Sequence, residues 1–253
     1  FFILLSLYYA KNNLNIRSLL CLGISIITRF YPLILLPLFV VILGKRFREY
    51  LKLTFWGLLP LGLISVLNRL FHQGSIVERL GEMYHSNYLL MMKFNLGYAF
   101  DTIYVFIAAY GFLLLVLYFN TNHSFEDLKK GNLVLLLIFF ATCFFHPHYF
   151  MWLIPFLTFQ VVEDRKFLSL FILQILCFII CTFHFKRPLA GYLFAPINPS
   201  YFMYLSSPFE FINRYYPAYR FINIFRSVFS GISLAMAYLI FRELSKSREE
   251  KKI

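Results

Sequence analysis

The chain has 253 residues, of which 60% are hydrophobic, 21% aromatic and 14% charged, and its formal net charge is +12 at pH 7. A soluble domain carries about 25% charged residues and cannot bury this much apolar surface, so the composition excludes an ordinary soluble domain and favours an all-α, polytopic transmembrane helical bundle. No RNA- or DNA-binding pattern accompanies the positive charge, which therefore indicates membrane-anchoring loops and no nucleic acid partner.

The first segment, "FFILLSLYYAK" (1–11), is apolar but too short to span a bilayer, and it does not begin with Met. No basic region precedes it, which argues against a signal peptide and for the end of a cut helix. The sequence is therefore expected to be a C-terminal fragment, one transmembrane domain over 1–253 whose N-terminal helices and first outer loop lie upstream.

Four segments are long and apolar enough to cross a membrane without interruption. They lie at 51–71, 98–119, 167–184 and 221–242.

Two further apolar regions, 18–43 and 131–162, are interrupted by "TRFYP" (28–32) and "FHPHYF" (145–150). Each region is either one kinked span or a hairpin of two short, re-entrant-like helices. Hairpins bring five basic segments to one side of the membrane, so the positive-inside rule favours hairpins and a cytoplasmic C-terminus. More than half of the 24 Lys and Arg residues lie in these segments, which are 11–17, 44–52, 129–130, 163–166 and the tail from 242.

Both interruptions then face the extracytoplasmic side. A helix over 131–145 is only about 22 Å long, so the turn at His146 is expected below the membrane surface. Irregular backbone at that depth survives inside protein or beside a water-filled cavity. We therefore expect one outward-facing cavity that contains both turns, capped by the aromatic and proline-rich loop 185–220.

Cations beside this expected cavity are candidate ligands for an anion such as a lipid phosphate. Arg29 stands in the first turn, while Lys186 and Arg187 follow the span 167–184. The alternative interpretation is structural: Arg29 anchors the turn at the interface, and Lys186 and Arg187 form a solvated pair.

His146 and His148 flank Pro147, which suits the first turn of a helix, and helix N-termini attract anions. This turn is either an anion-binding site or a helix start anchored at the interface by Tyr149 and Trp152. An imidazole metal pair is not favoured because no Cys, Asp or Glu lies nearby in sequence.

Asp101 stands at the predicted start of the span 98–119. It is either a charge that complements the helix dipole or a candidate catalytic base. No glycine-rich phosphate loop or Walker sequence is present, so the pattern does not indicate a nucleotide-driven pump.

"RFYPLILLPLFVVIL" and "HPHYFMWLIPFL" together resemble the GT-C superfamily of integral-membrane glycosyltransferases, most closely the polyprenyl-phosphate-mannose-dependent mannosyltransferases. In that group a basic residue precedes a Tyr-Pro and a Leu-rich helix, as Arg29, Tyr31 and Pro32 do here. Arg29 stands where Lys is common in the group.

The second stretch resembles the turn that this group builds from a Pro or Ser, a Gln, a Tyr, two apolar residues and a Trp. Pro147, His148, Tyr149 and Trp152 occupy the matching positions, and His148 stands where Gln is usual. The two stretches follow each other in the order that the group shows.

The resemblance implies transfer of mannose or another hexose from a polyprenyl-phosphate donor to a glycan or lipid acceptor. The reaction would take place at the extracytoplasmic face of a bacterial plasma membrane or of the ER membrane, with no cofactor beyond the lipid-linked donor. The catalytic carboxylate would lie upstream of Phe1. The donor phosphate would be bound by Arg29, His146, His148, Lys186 and Arg187, and the cavity would be lined or braced by Tyr31, Pro32, Pro147, Tyr149 and Trp152.

Two alternative functions would also place the site at the extracytoplasmic face. One is a transporter or flippase of lipid-linked glycans, which has no catalytic carboxylate. The other is a glycan polymerase or ligase, which usually has a larger outer loop with several arginines.

Overall fold

The computed structural model describes residues 1–71, 89–97, 101–120, 122–186, 196–202 and 206–249, with side chains described as far as residue 244. The chain divides into two compact units. The first consists of Phe1–Phe145 with Ala237–Ile253, and the second of His146–Met236. The single transmembrane domain expected over 1–253 stays a prediction.

The described residues of the first unit form six α-helices, the end of a further helix given below, and a small antiparallel sheet, β1 (Lys93–Asn95) with β2 (Thr102–Tyr104). The helices are α1 (Phe2–Lys11), α2 (Asn15–Thr28), α3 (Leu36–Leu43), α4 (Phe47–Leu70), α5 (Val105–Asn120) and α6 (Phe125–Thr142).

The second unit contains α7 (Ile154–Glu163), α8 (Phe167–Thr182), α9 (Pro199–Phe202) and α10 (Pro208–Asn213). The last helix, α11 (Ala218–Glu249), contributes its first part to this unit and its remainder to the first. Helices dominate the described residues, as the composition predicts.

Three helices among the described residues are long and apolar enough to cross a membrane: Phe47–Leu70, Phe167–Phe185 and Ala218–Leu244. They correspond to the spans predicted at 51–71, 167–184 and 221–242. Many large apolar side chains on the first of these helices are exposed, which suits a helix that faces lipid.

The predicted span 98–119 is wrong at its start. β2 pairs with β1 through Ile103 opposite Phe94, and α5 begins only at Val105. Thr102 and Ile103 are β-branched and therefore suit a strand. The remaining 16-residue helix is about 24 Å long, shorter than the hydrocarbon core.

The chain reverses direction within 18–43, as predicted, while its re-entry into a membrane stays a prediction. α2 ends at Thr28, a 3₁₀ helix covers Tyr31–Leu35, and α3 follows. Asn15 Nδ2 at the start of α2 donates a hydrogen bond to the Leu43 carbonyl at the end of α3, at 3.4 Å. The two ends of the region therefore meet, as a hairpin requires.

The second interruption also falls where it was predicted, because α6 ends at Thr142 and a 3₁₀ helix covers Pro147–Trp152 before α7. The expected short helix 131–145 is wrong, because α6 has 18 residues and is about 27 Å long. The Ser124 hydroxyl caps the N-terminus of α6 by accepting the Asp127 N–H at 3.1 Å. The first turns of the helix therefore include the charged residues Glu126, Asp127, Lys129 and Lys130. A hairpin over 131–162 stays a prediction, because its halves belong to different units.

α2 and α4 approach each other closely at two glycines. A Cβ at Gly23 would overlap the Gly57 carbonyl oxygen and lie 2.9 Å from the Pro60 ring. Small residues allow membrane helices to reach this separation, where dispersion contacts replace the hydrophobic driving force. This crossing fixes α2, and with it the position of the first interruption.

Candidate functional site

The two motifs adopt the same order of local structure. Arg29 and His146 have extended backbones, with φ/ψ of −156°/134° and −79°/151°. Each is followed within two residues by a 3₁₀ helix that has a proline in its first two positions, Pro32 in one and Pro147 in the other.

A second proline starts the α-helix that follows each 3₁₀ helix, Pro37 in α3 and Pro155 in α7. Proline lacks an N–H and is tolerated at such first turns, so the paired prolines explain why both helices are interrupted. The interruptions expose backbone polar groups inside apolar sequence, which suits a ligand site.

The first turn presents Arg29 to solvent, and its guanidinium forms no hydrogen bond or ion pair with any residue that the structure describes. Tyr31 is half-buried beside it and Pro32 is buried. A tyrosine phenol is neutral at physiological pH. The turn therefore combines one available cation with a neutral hydroxyl.

Tyr110 of α5 braces this turn. Its hydroxyl donates a hydrogen bond to the Ile34 carbonyl at 2.5 Å, and its ring stacks with Phe106 at 5.8 Å. The sequence interpretation missed this residue, although a tyrosine inside an apolar helix is a recognisable sign of a buried polar partner.

The second turn is a cluster of rings. The imidazoles of His146 and His148 stack at 5.8 Å between centroids, and His148 meets Tyr149 edge to face at 4.4 Å. Tyr149 stacks on Trp152 at 4.1 Å. The predicted bracing role of Tyr149 and Trp152 therefore has a geometric basis in this stack.

Lys186 follows Phe185 in sequence, and the ring centroid of Phe185 lies 5.7 Å from that of His146 in this turn. Its ammonium lies over two rings, 4.9 Å from the centroid of Phe209 and 5.7 Å from that of Tyr219. Lys186 is exposed, so the side of the ammonium away from the rings can accept an anion.

Phe209 is held in place by α10. Ser207 and Glu210 form a reciprocal capping box at its start, with both hydrogen bonds at 3.2 Å. Phe209 then packs with Ala218 and Ile222 in a small buried cluster. The sequence interpretation missed the ring pair over Lys186, because it depends on contacts between residues more than 20 positions apart.

The backbone of Lys186 is itself unusual, with φ 54° and ψ −141°, a conformation that favours glycine. Non-glycine residues in such a conformation cost about 1–3 kcal/mol and occur preferentially at functional sites.

Of the five predicted phosphate ligands, the structure brings His146 and His148 into direct ring contact, and it links Lys186 to them only through the ring of its neighbour Phe185. Arg29 belongs to the first unit. Residues 187–195 and 203–205 of the predicted cap loop lie outside the described residues, and Arg187 is one of them.

Asp101 does not start a helix, contrary to the expectation of a charge at a helix N-terminus. It directly precedes β2, is exposed, and accepts the Leu96 N–H on its backbone carbonyl at 3.0 Å. Its role as a catalytic base stays a prediction.

Among the described residues, no three His, Cys, Asp or Glu side chains are grouped so that they could hold a metal ion. No protein-family model, curated protein or solved structure matches the chain.

Proposed function

We propose that the chain is part of an integral-membrane glycosyltransferase that moves a hexose from a polyprenyl-phosphate donor to a glycan or lipid acceptor. The observation that carries this proposal is the stacked pair of His146 and His148 at a turn whose sequence resembles the GT-C mannosyltransferases, with the ring of Phe185, the neighbour of Lys186, against His146. Three apolar helices of membrane-spanning length support placement in a membrane.

In the proposed reaction an acceptor hydroxyl attacks the anomeric carbon of the donor sugar. The bond between that carbon and the phosphate oxygen breaks, and polyprenyl phosphate leaves with the bonding electron pair. Negative charge grows on the leaving phosphate, so positive groups fixed beside it lower the barrier.

Lys186 suits this task because its ammonium is held against Phe209 and Tyr219. A cation held by rings loses less side-chain entropy when the anion binds, since it is already restricted. The imidazoles of His146 and His148 add hydrogen-bond donors on the same side of the unit. Arg29, in the first unit, stays a predicted phosphate ligand.

The proton of the acceptor hydroxyl requires a base. Asp101 is the candidate for that role within this chain. The active site would face the extracytoplasmic side of a bacterial plasma membrane or of the ER membrane, with the C-terminus in the cytoplasm.

The site is tested in membranes that contain the protein at its natural length, supplied with polyprenyl-phosphate sugar labelled in the sugar. Arg29→Ala and His148→Ala should each lower transfer by about 100-fold, the effect of losing one fixed donor to a developing charge. Arg165→Ala is the matched control, because Arg165 is also exposed but lies in the connection between α7 and α8. Transfer at the control rate in both variants would refute the site.

A further inference from the structure

Six exposed cations lie at one end of the first unit. Among the described residues none of them forms an ion pair. They are Lys11, Arg17, Lys45, Arg46, Arg48 and Lys52.

Two connections bring these cations to the same end. The α1–α2 turn carries the first two, and the connection between α3 and α4 with the first turns of α4 carries the other four. The hydrogen bond from Asn15 to the Leu43 carbonyl joins the start of α2 to the end of α3. His123 Nδ1 lies 3.0 Å from the neighbouring Ile42 carbonyl oxygen, which adds the start of α6 to this end.

The acidic side chains described at this end are engaged elsewhere. Glu49, in the first turn of α4, accepts the backbone N–H of Lys45 at 2.8 Å. Glu126 pairs with Lys129 at 2.8 Å, and Glu243 pairs with Lys130 at 3.0 Å. The six cations outnumber the carboxylates of Glu49 and Asp127, so this end keeps a positive field, which the N-terminal end of α4 reinforces.

An exposed apolar stripe starts at the level of these cations. Phe47, Leu51, Phe55 and Leu58 recur at helical spacing along α4, and all four side chains are exposed. The rings of Tyr50 and Tyr118 pair at 6.2 Å near the same level. Tyrosines at the boundary between charged and apolar surface are typical of a membrane interface.

We propose that this end of the first unit binds the headgroups of anionic phospholipids, with the acyl chains of the same lipids along the α4 stripe. A lipid is favoured over free phosphate or a polyanion because the positive surface passes directly into an apolar one, and a lipid joins both chemistries in one molecule. The proposal depends on the membrane placement of α4 in the proposed function, but not on sugar transfer.

The test compares the natural protein with a variant that carries Lys45→Gln, Arg46→Gln, Arg48→Gln and Lys52→Gln. Both are reconstituted in nanodiscs of phosphatidylcholine with phosphatidylglycerol, and the phosphatidylglycerol that each retains after extraction is counted by native mass spectrometry. The glutamine variant should retain phosphatidylglycerol less selectively than the natural protein, by about fivefold for each of its removed charges. Added salt should weaken the preference of the natural protein, because exposed charges are screened.

A charge-preserving variant, with Lys45→Arg, Arg46→Lys, Arg48→Lys and Lys52→Arg, serves as the matched control and should retain phosphatidylglycerol like the natural protein. Equal retention by the glutamine variant overturns the proposal. Failure of the natural protein to enter nanodiscs overturns both this proposal and the membrane placement of α4. Lipid preference without any sugar transfer leaves this proposal standing and contradicts only the proposed reaction.

Discussion

The Tyr110 hydroxyl donates a hydrogen bond to the carbonyl of Ile34, 76 positions away in sequence, at 2.5 Å. In a 3₁₀ helix the Ile34 carbonyl would accept a hydrogen bond from the N–H of residue 37, but that residue is Pro37, which has no N–H. The α-helical hydrogen bonds of α3 begin only at Leu36. Tyr110 therefore satisfies a backbone acceptor that the proline leaves without a main-chain partner. The interrupted helix behind Arg29 depends on a side chain from a distant helix.

Replacing Tyr110 by Phe keeps the ring against Phe106 but removes this donor. The Ile34 carbonyl is then left unsatisfied in an apolar setting, so the free energy of unfolding should fall by about 1–3 kcal/mol. Thermal or denaturant unfolding in detergent measures the change. Tyr238→Phe is the matched control, since Tyr238 is exposed, and an equal effect in both variants would contradict the proposed brace.

Replacing Gly23 by Ala should destabilise the first unit, because the new methyl group overlaps the backbone of α4 at Gly57. Overpacking of this kind costs about 1–3 kcal/mol. Gly62→Ala and Gly111→Ala are the controls, because a Cβ at either position meets nothing within 4 Å. These two should be neutral or slightly stabilising, since alanine favours helix. The close crossing of α2 and α4 is wrong if Gly23→Ala unfolds like the controls.

Gln174 of α8 donates a hydrogen bond from Nε2 to the Ser233 hydroxyl of α11 at 2.8 Å, and both side chains are buried. A double-mutant cycle with Gln174→Ala and Ser233→Ala should give a coupling free energy of about 0.6 kcal/mol, and at most about 1.7. The same cycle with Ser227→Ala in place of Ser233→Ala should be additive, since Ser227 is exposed and bonds within its own helix. Additivity in both cycles would exclude an energetic role for this bond.

Lys186→Gly should be more stable than Lys186→Ala by about 1 kcal/mol. Both variants lose the contact with Phe209 and Tyr219, but only glycine adopts φ 54° without strain. Chemical denaturation of the two variants measures the difference. Equal stability would show that the backbone at this position is not strained.

Much of the fold follows from the sequence, because apolar length and charge sidedness are local properties. They predicted three long apolar helices and both interruptions. The start of the span at 98–119 was missed because β1 and β2 pair across residues that are not adjacent in sequence. The length of α6 was missed because Glu126, Asp127 and Lys129 are charged and so indicated a loop, whereas in the first turns they stabilise the helix together with the Ser124 cap.

The candidate site also has some features that the sequence predicts and others that it does not. The prolines around Arg29 and His146 mark the turns, since proline restricts the backbone wherever it stands. The brace from Tyr110 and the rings over Lys186 depend on contacts between distant segments, which a single sequence does not encode in any local pattern.

Sugar transfer itself is tested most directly by following both products of one donor. Membranes containing the protein at its natural length receive polyprenyl-phosphate sugar with separate labels in the sugar and in the lipid phosphate. The account predicts that sugar label moves to a glycan or lipid acceptor while an equal amount of free polyprenyl phosphate is released. Sugar that stays attached to its lipid and only changes leaflet would contradict the account and identify a transporter.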